Sequence, residues 1–145
     1  MLASGTISSH TIQPAEVEIS GNKALAASTG SVQVRATVDG LEYEMVSLVR
    51  FHSRLSYCEI DSQWTWRLLT LEAVYDRDYA IPINSGPGQS TIPIEIAPGA
   101  RESYKFLEWM LGKCGFAIAR DLPGLDDKGS VQKVIDEAQE WLRVD

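Results

Sequence analysis

The chain has 145 residues, of which 44% are hydrophobic and 23% are charged. This length suits one domain with its own core, and the composition excludes wholesale disorder. The 13 basic and 20 acidic residues give a net charge of -7. That charge argues against binding to nucleic acid or to an anionic membrane surface, because both require a basic face.

The chain carries few signals of compartment or redox state. No apolar run approaches the roughly 18 residues of a membrane span, and residues Met1 to His10 lack the basic and apolar regions of a secretion signal. Cys58 and Cys114 form neither a CxxC motif nor a metal-ligand spacing, so their pairing stays open. We expect a reduced, cytoplasmic protein with no membrane and no nucleic-acid partner.

The first 83 residues predict an antiparallel meander of strands. Glu16 to Ile19 alternates strictly between charged and apolar residues, and Asp39-Gly40 is a strong hairpin signal. Long strands twist and curl, so the sheet has a concave face that helices, a partner or a ligand must fill. The expected strands are Thr6–Ile12, Glu16–Ile19, Ala24–Val38, Leu41–Tyr57 and Trp64–Tyr79.

The rest of the chain predicts a loop and two helices within the same single domain of residues 1–145. Residues 84–99 hold three prolines among several Gly and Ser residues, which favours a loop long enough to cover something. Residues 100–145 read as a helical tail. Apolar stripes there predict one helix from Arg101 to Lys113 and another from an N-cap at Ser130 to Leu142.

The sequence lacks the motifs of nucleotide-dependent, hydrolytic and metal-dependent enzymes. It has no P-loop and no GxGxxG, GxSxG or HExxH motif, and its two histidines are too far apart for a zinc-site spacing. Cofactor-free acid–base chemistry, or binding without chemistry, is what remains. His10 and His52 are the candidate proton carriers, each weighed against the alternative of an ordinary strand residue.

Strand alternation groups several ionisable residues with apolar ones. His52 shares a face of its strand with Arg50, and on the last strand Glu72 and Asp76 share a face with Trp66. Charged residues in such surroundings either line a pocket or form surface ion pairs, and both interpretations stay open.

Several segments, in order along nearly the whole chain, resemble the SnoaL-like family of the nuclear transport factor 2-like superfamily. The first are the His-bearing strand Ser8-Ser9-His10-Thr11-Ile12 and the stretch Val17-Glu18-Ile19-Ser20-Gly21-Asn22-Lys23-Ala24. The central ones are Leu41-Glu42-Tyr43-Glu44, Val49-Arg50-Phe51-His52-Ser53-Arg54-Leu55, Trp66-Arg67-Leu68 and Val74-Tyr75-Asp76-Arg77-Asp78 with Pro82. The last are Ser103-Tyr104-Lys105-Phe106-Leu107, Asp121-Leu122-Pro123-Gly124 and Trp141-Leu142.

The resemblance implies an α+β fold in which a curved antiparallel sheet, a cone-like barrel, wraps a hydrophobic pocket and is followed by two C-terminal helices. Members of the family include dehydratases, isomerases and cyclases of secondary-metabolite biosynthesis that use no cofactor and no metal, and many are homodimers through the sheet. It implies catalysis by His10, for which Asp76 or, alternatively, Glu72 on the last strand is the candidate partner. It matches Tyr43, Phe51, Trp66 and Tyr75 to core or pocket-wall positions, and with His52, which has no clear match in the family, they are the candidate substrate-binding residues.

The start of the chain departs from the family pattern. Members usually begin with helices that close the mouth of the cone and often supply a catalytic Asp or Tyr, whereas this chain reaches the His10 strand almost at once. A truncated gene model, coverage of the mouth by another chain or by the tail helices, and loss of catalysis are three competing explanations.

Two functions follow as expectations. The first is a cofactor-independent isomerase, dehydratase or cyclase that acts on a hydrophobic polyketide- or terpenoid-like intermediate, with a histidine as general acid and base in an apolar pocket. The alternative is a non-catalytic domain for small-molecule binding or dimeric assembly, in which the four tryptophans serve the core and an interface.

Overall fold

The protein is described by a computed structural model that covers residues 6–83, 87 and 94–144. It is an α+β structure with a five-stranded antiparallel sheet and two C-terminal helices, as the sequence predicts. The strands are β1 (Ile7–Ile12), β2 (Glu16–Ser20), β3 (Lys23–Val38), β4 (Leu41–Ile60) and β5 (Gln63–Pro82), and the helices are α1 (Lys105–Lys113) and α2 (Lys128–Arg143). The loop predicted over residues 84–99 lies largely outside the described residues.

The sheet is open, with the strand order β1-β3-β4-β5 and β2 also paired to β3. β1 and β2 lie end to end along the same edge of β3, facing Gly30–Arg35 and Lys23–Ala27 respectively. Pro14 lies in the break between these two short strands, where a missing N–H costs no ladder bond. β5 forms the opposite edge of the sheet.

Tight turns connect the long strands where the sequence predicts them. Gly21, Asp39 and Gly40 all have positive φ, as the hairpin turns that match strand twist require. Asp61 and Ser62 also have positive φ, so the third hairpin turns in the same way without a glycine. The hairpin of β4 and β5 is consequently longer than expected, and its strands extend to Ile60 and Pro82.

Two irregularities in β5 change which residues share a face. The pairing of β4 with β5 shifts register between Leu48 and Val49 and again between Arg54 and Leu55. Each shift places an extra residue in β5, which moves the following side chains to the other face. The strict alternation expected along β5 is therefore wrong, since Glu72 lies opposite His52 whereas Leu68 lies opposite Leu55.

α1 packs on the sheet and forms the main core. Leu107 and Met110 of the helix and the preceding Tyr104 are buried against one face of β3 and β4. The buried strand residues of this cluster are Val34, Ala36, Val38, Tyr43 and Met45. The helix begins at Lys105 rather than Arg101, because residues 102–104 form a turn.

α2 begins at Lys128, two residues before the predicted Ser130. Asp127 is its N-cap, and the Asp127 Oδ1 accepts hydrogen bonds from the Gly129 and Ser130 N–H groups at 3.1 and 3.3 Å. Ser130 instead bonds the preceding turn, donating from Oγ to the Asp127 carbonyl at 2.7 Å. Within the described ranges neither helix has the length and apolar character to cross a membrane.

Asp78 anchors the N-terminus of α1, whose own N-cap residue makes no side-chain cap bond. Its Oδ2 accepts a hydrogen bond from the Leu107 N–H at 2.7 Å, while its Oδ1 is buried without a hydrogen-bond partner. Burial raises the pKa of Asp78 to about 6, against the lowering effect of the Leu107 and Phe106 N–H groups.

A pH titration of stability tests this anchor. Because the pKa of Asp78 is higher in the folded state, its protonation stabilises the fold below its ordinary pKa, and the gain disappears as the pH rises through about 6. We expect the unfolding free energy of the wild type to gain roughly 1 to 2 kcal/mol relative to Asp78→Asn between pH 7 and pH 4, because partial exposure of the carboxyl screens the effect. The measurement is the difference between the unfolding free energies of the two proteins in urea. A difference is needed because other acids change the stability in the opposite direction with pH, such as Asp126, whose pKa is lowered by its Arg101 partner. A pH-independent difference contradicts the assignment.

Candidate functional site

A cavity of about 400 Å³ lies between α2 and the sheet. Four strands and the helix contribute to its walls, so no single segment of the sequence defines it. The residues around it are Glu16, Val17, Glu18, Leu25, Ala26, Ala27, His52, Ser53, Arg54, Glu72, Ile135, Ala138 and Gln139.

The floor of the cavity consists of two rows of residues that cross the sheet. In one row, Glu16, Ala27, His52 and Glu72 lie directly opposite one another on β2, β3, β4 and β5. In the adjacent row, the register aligns Glu18, Leu25, Arg54 and Thr70 in the same way. Directly opposite residues point to the same face, so this pairing brings the charged groups of distant segments together.

Polar contacts hold α2 over these rows. Gln139 donates from Nε2 to the Glu18 Oε2 at 3.0 Å. Lys23 donates from Nζ to the Trp141 carbonyl at 3.1 Å and to the Val144 carbonyl, and its ammonium lies 5.3 Å from the centre of the Trp141 ring. Ile135 and Ala138 then supply an apolar roof.

The electrostatics of the cavity centre on His52. Burial lowers the pKa of His52 below its ordinary value of 6.5, the Glu72 carboxylate opposes this effect, and Arg50 adds to it. The imidazole is therefore neutral at pH 7, with a carboxylate nearby to favour the protonated form when a proton arrives. Arg54 Nη2 lies 3.7 Å from the Glu72 Oε2.

A second, more polar cavity of about 340 Å³ continues along the same sheet face. Its walls include Asp76 and Arg50 together with three hydroxyl residues, Thr11, Thr29 and Ser31. The row of Thr29 and Arg50 is the next one after the row of Ala27 and His52, so the two cavities are neighbours.

The structure separates the two residues expected to act together, His10 and Asp76. His10 is exposed on β1 and lies opposite Val32, on the register face away from Thr11 and the cavity that Asp76 lines. His52 lines the larger of the two cavities and Asp76 lines the more polar one, whereas His10 lines neither of them.

The other four residues expected to bind substrate pack against neighbouring aromatic rings or lie buried in the sheet. Tyr43 is buried with its ring edge-on to Trp109, and Phe51 is buried in the sheet. Tyr75 packs against the ring of Tyr104, and Trp66 is partly exposed beside Tyr57. Of the five, His52 is the one that lines the larger cavity.

Sequence reasoning missed Glu16, Glu18 and Arg54 as site residues, and it left open whether Glu72 lines a pocket or forms a surface ion pair. The alternation of Glu16 to Ile19 was the available signal, because it marks Glu16 and Glu18 as side chains on one face. Nothing local in the sequence indicates that this face meets His52 or that α2 covers it.

Within the part of the chain that the structure describes, no group of three or more His, Cys, Asp or Glu residues is placed to hold a metal ion. Cys58 and Cys114 are both free thiols. No family model matches the chain, and a search of curated proteins finds no match either.

The charges around His52 predict opposite effects of two neighbours on its titration. Because Glu72 raises and Arg50 lowers the pKa of His52, Glu72→Gln will lower this pKa further and Arg50→Gln will raise it. NMR titration of the His52 ring protons measures all three values, and the wild-type midpoint should lie below 6.5. Shifts of the same sign in both variants would contradict the arrangement.

Proposed function

We propose that the protein is a cofactor-independent isomerase, dehydratase or cyclase that uses His52 as general acid and base in the cavity beneath α2. The observation that carries this proposal is the placement of a half-buried, neutral imidazole in register with a carboxylate, Glu72, in a cavity lined by both charged and apolar side chains. The segments that resemble SnoaL-like proteins support the same class of activity. They also support a cone-like curvature of the sheet.

The cavity suits proton transfer on a hydrophobic molecule of polyketide or terpenoid type. A neutral His52 accepts a proton at pH 7, and Glu72 stabilises the imidazolium that forms. Leu25, Ala27 and the roof of α2 supply apolar surface beside the histidine, and such surface lowers the local dielectric constant and strengthens these charge interactions. No metal or redox group takes part in such a reaction.

Deuterium exchange tests the proposal with an enolisable ketone such as 2-tetralone. We expect the wild type to accelerate exchange of the ketone's α-hydrogens in D₂O, and His52→Gln to lose roughly a hundredfold or more of the enzymatic rate, because the proton acceptor is gone. The exchange is followed by mass spectrometry, and the melting temperature of the variant should stay close to that of the wild type.

His10→Gln is the matched control because His10 lies outside both cavities. Loss of exchange in His10→Gln with full activity in His52→Gln would overturn the role of His52 in favour of the residue that the resemblance implies. No exchange by the wild type would favour a non-catalytic binding domain.

An apolar sheet face supports the second candidate, a homodimer through the sheet. The face opposite the larger cavity aligns Val17, Ala26, Ser53 and Leu71 in one row, and Ile19, Ala24, Leu55 and Leu68 in the next. The side chains of this face that are substantially exposed are Val17, Ile19, Leu68, Leu71 and, further along, Trp64 and Trp66. A contiguous apolar surface of this kind is typical of association sites, and a second copy buries it symmetrically.

A pair of charge substitutions tests the dimer. Leu71 on this face and Ile81 near the end of β5 are equally exposed, at 47% each, so their lysine variants differ in position and little else. We expect Leu71→Lys to convert the protein to a monomer, because it places a charge in the interface, and Ile81→Lys to leave the mass unchanged. Sedimentation velocity measures the mass. A wild-type monomer, or identical behaviour of the two variants, would contradict the dimer.

A further inference from the structure

We propose that Arg54 binds the carbonyl oxygen of the substrate and stabilises the enolate that forms there. The substrate is then an uncharged carbonyl compound with an enolisable hydrogen. This inference rests on the proposed role of His52 and adds to it the oxygen-binding group and the substrate class.

Arg54 has hydrogen-bonding capacity that the protein leaves unused. Its Nε is buried and has no hydrogen-bond partner among the residues that the structure describes, although the residue lines the cavity. Its Nη2 lies 3.7 Å from the Glu72 Oε2, which is longer than a hydrogen bond. Arg54 lines the cavity with a side chain that is 21% exposed, so an acceptor there is able to take hydrogen bonds from the guanidinium N–H groups that the protein leaves unused.

The surrounding charges select the kind of acceptor. Glu16, Glu18 and Glu72 line the same cavity as Arg54, so a ligand that carries a permanent carboxylate meets three like charges. A neutral carbonyl oxygen accepts the hydrogen bonds of Arg54 without this repulsion. Its negative charge develops only during the reaction, beside the guanidinium, which is where electrostatic stabilisation accelerates the chemical step.

The spacing of Arg54 and His52 fits one carbonyl group and its neighbouring carbon. The two residues are separated by one position on β4 and point to the same face, with Cα atoms about 7 Å apart. A carbonyl oxygen on Arg54 therefore places the adjacent C–H group within reach of the imidazole. The apolar body of the ligand then lies against Leu25, Ile135 and Ala138.

The reaction balances without a further reagent. The neutral His52 imidazole takes the proton of the C–H bond, the electron pair of that bond forms a C=C bond, and the carbonyl oxygen becomes an enolate oxygen bound to Arg54. Return of the proton from the imidazolium to a different carbon gives an isomerisation. Departure of a β-hydroxyl group with the same proton gives water and a dehydration.

Two aromatic probes with one ring system test the inference. 2-Naphthol mimics an enol, and 2-naphthoate carries a carboxylate on the same ring. We expect 2-naphthol to bind more tightly than 2-naphthoate, and Arg54→Met to weaken 2-naphthol binding by at least about tenfold, as for loss of a hydrogen bond from a charged donor. Arg77→Met is the matched control, since Arg77 is an exposed arginine on β5 that lines neither of the two cavities. It should change this affinity by less than about threefold, a difference below the worth of one such bond.

NMR titration of the His52 ring signals reports each binding event at the site. Tighter binding of 2-naphthoate than of 2-naphthol by the wild type, or an unchanged 2-naphthol affinity in Arg54→Met, overturns the inference about Arg54. The proposed function still stands in that case if either probe shifts the His52 signals. If neither probe shifts the His52 signals, the proposed function fails together with the inference about Arg54. Arg54→Lys keeps the charge but loses the planar guanidinium, so an affinity loss in this variant supports the inference even if the methionine variant is unstable.

Discussion

The cross-strand register of the three long strands is the constraint on which the rest of the structure depends. β3 pairs with β4 from Lys23 to Val38 without a shift, and β5 follows β4 with two shifts. A displacement of one residue would move every side chain to the opposite face. The row of Glu16, Ala27, His52 and Glu72 exists only in this register, and so does the apolar row that contains Ile19 and Leu68.

The two helices use opposite register faces of the same sheet. α1 covers the face of Val34 and Met45 near the closed end of the β3–β4 hairpin, whereas α2 covers the face of Leu25 and Arg54 near the other end. Long strands twist, so the direction of each face turns along the sheet and different faces are available at the two ends. A well-packed core at one end and an open cavity at the other are the result.

Close packing at Gly30 leaves no room for a side chain in the middle of β3. A Cβ atom at this position would lie 2.1 Å from the Thr11 carbonyl oxygen and 2.9 Å from the Phe51 ring. Only glycine lets β1 and β4 come this near to β3, at the point where β1 ends and the more polar cavity begins.

The sequence alone determined the class of the fold and most of its elements. Alternation and turn residues such as Asp39 and Gly40 are local, so they predict the antiparallel meander, and the apolar stripes predict both helices. Only the tertiary structure decided the site. The shift in β5 opposite Arg54 and Leu55 places Glu72 beside His52. This shift, the remote cap by Asp78 and the position of α2 over Arg54 all depend on residues distant in sequence, and pairing energies between such residues leave no local pattern.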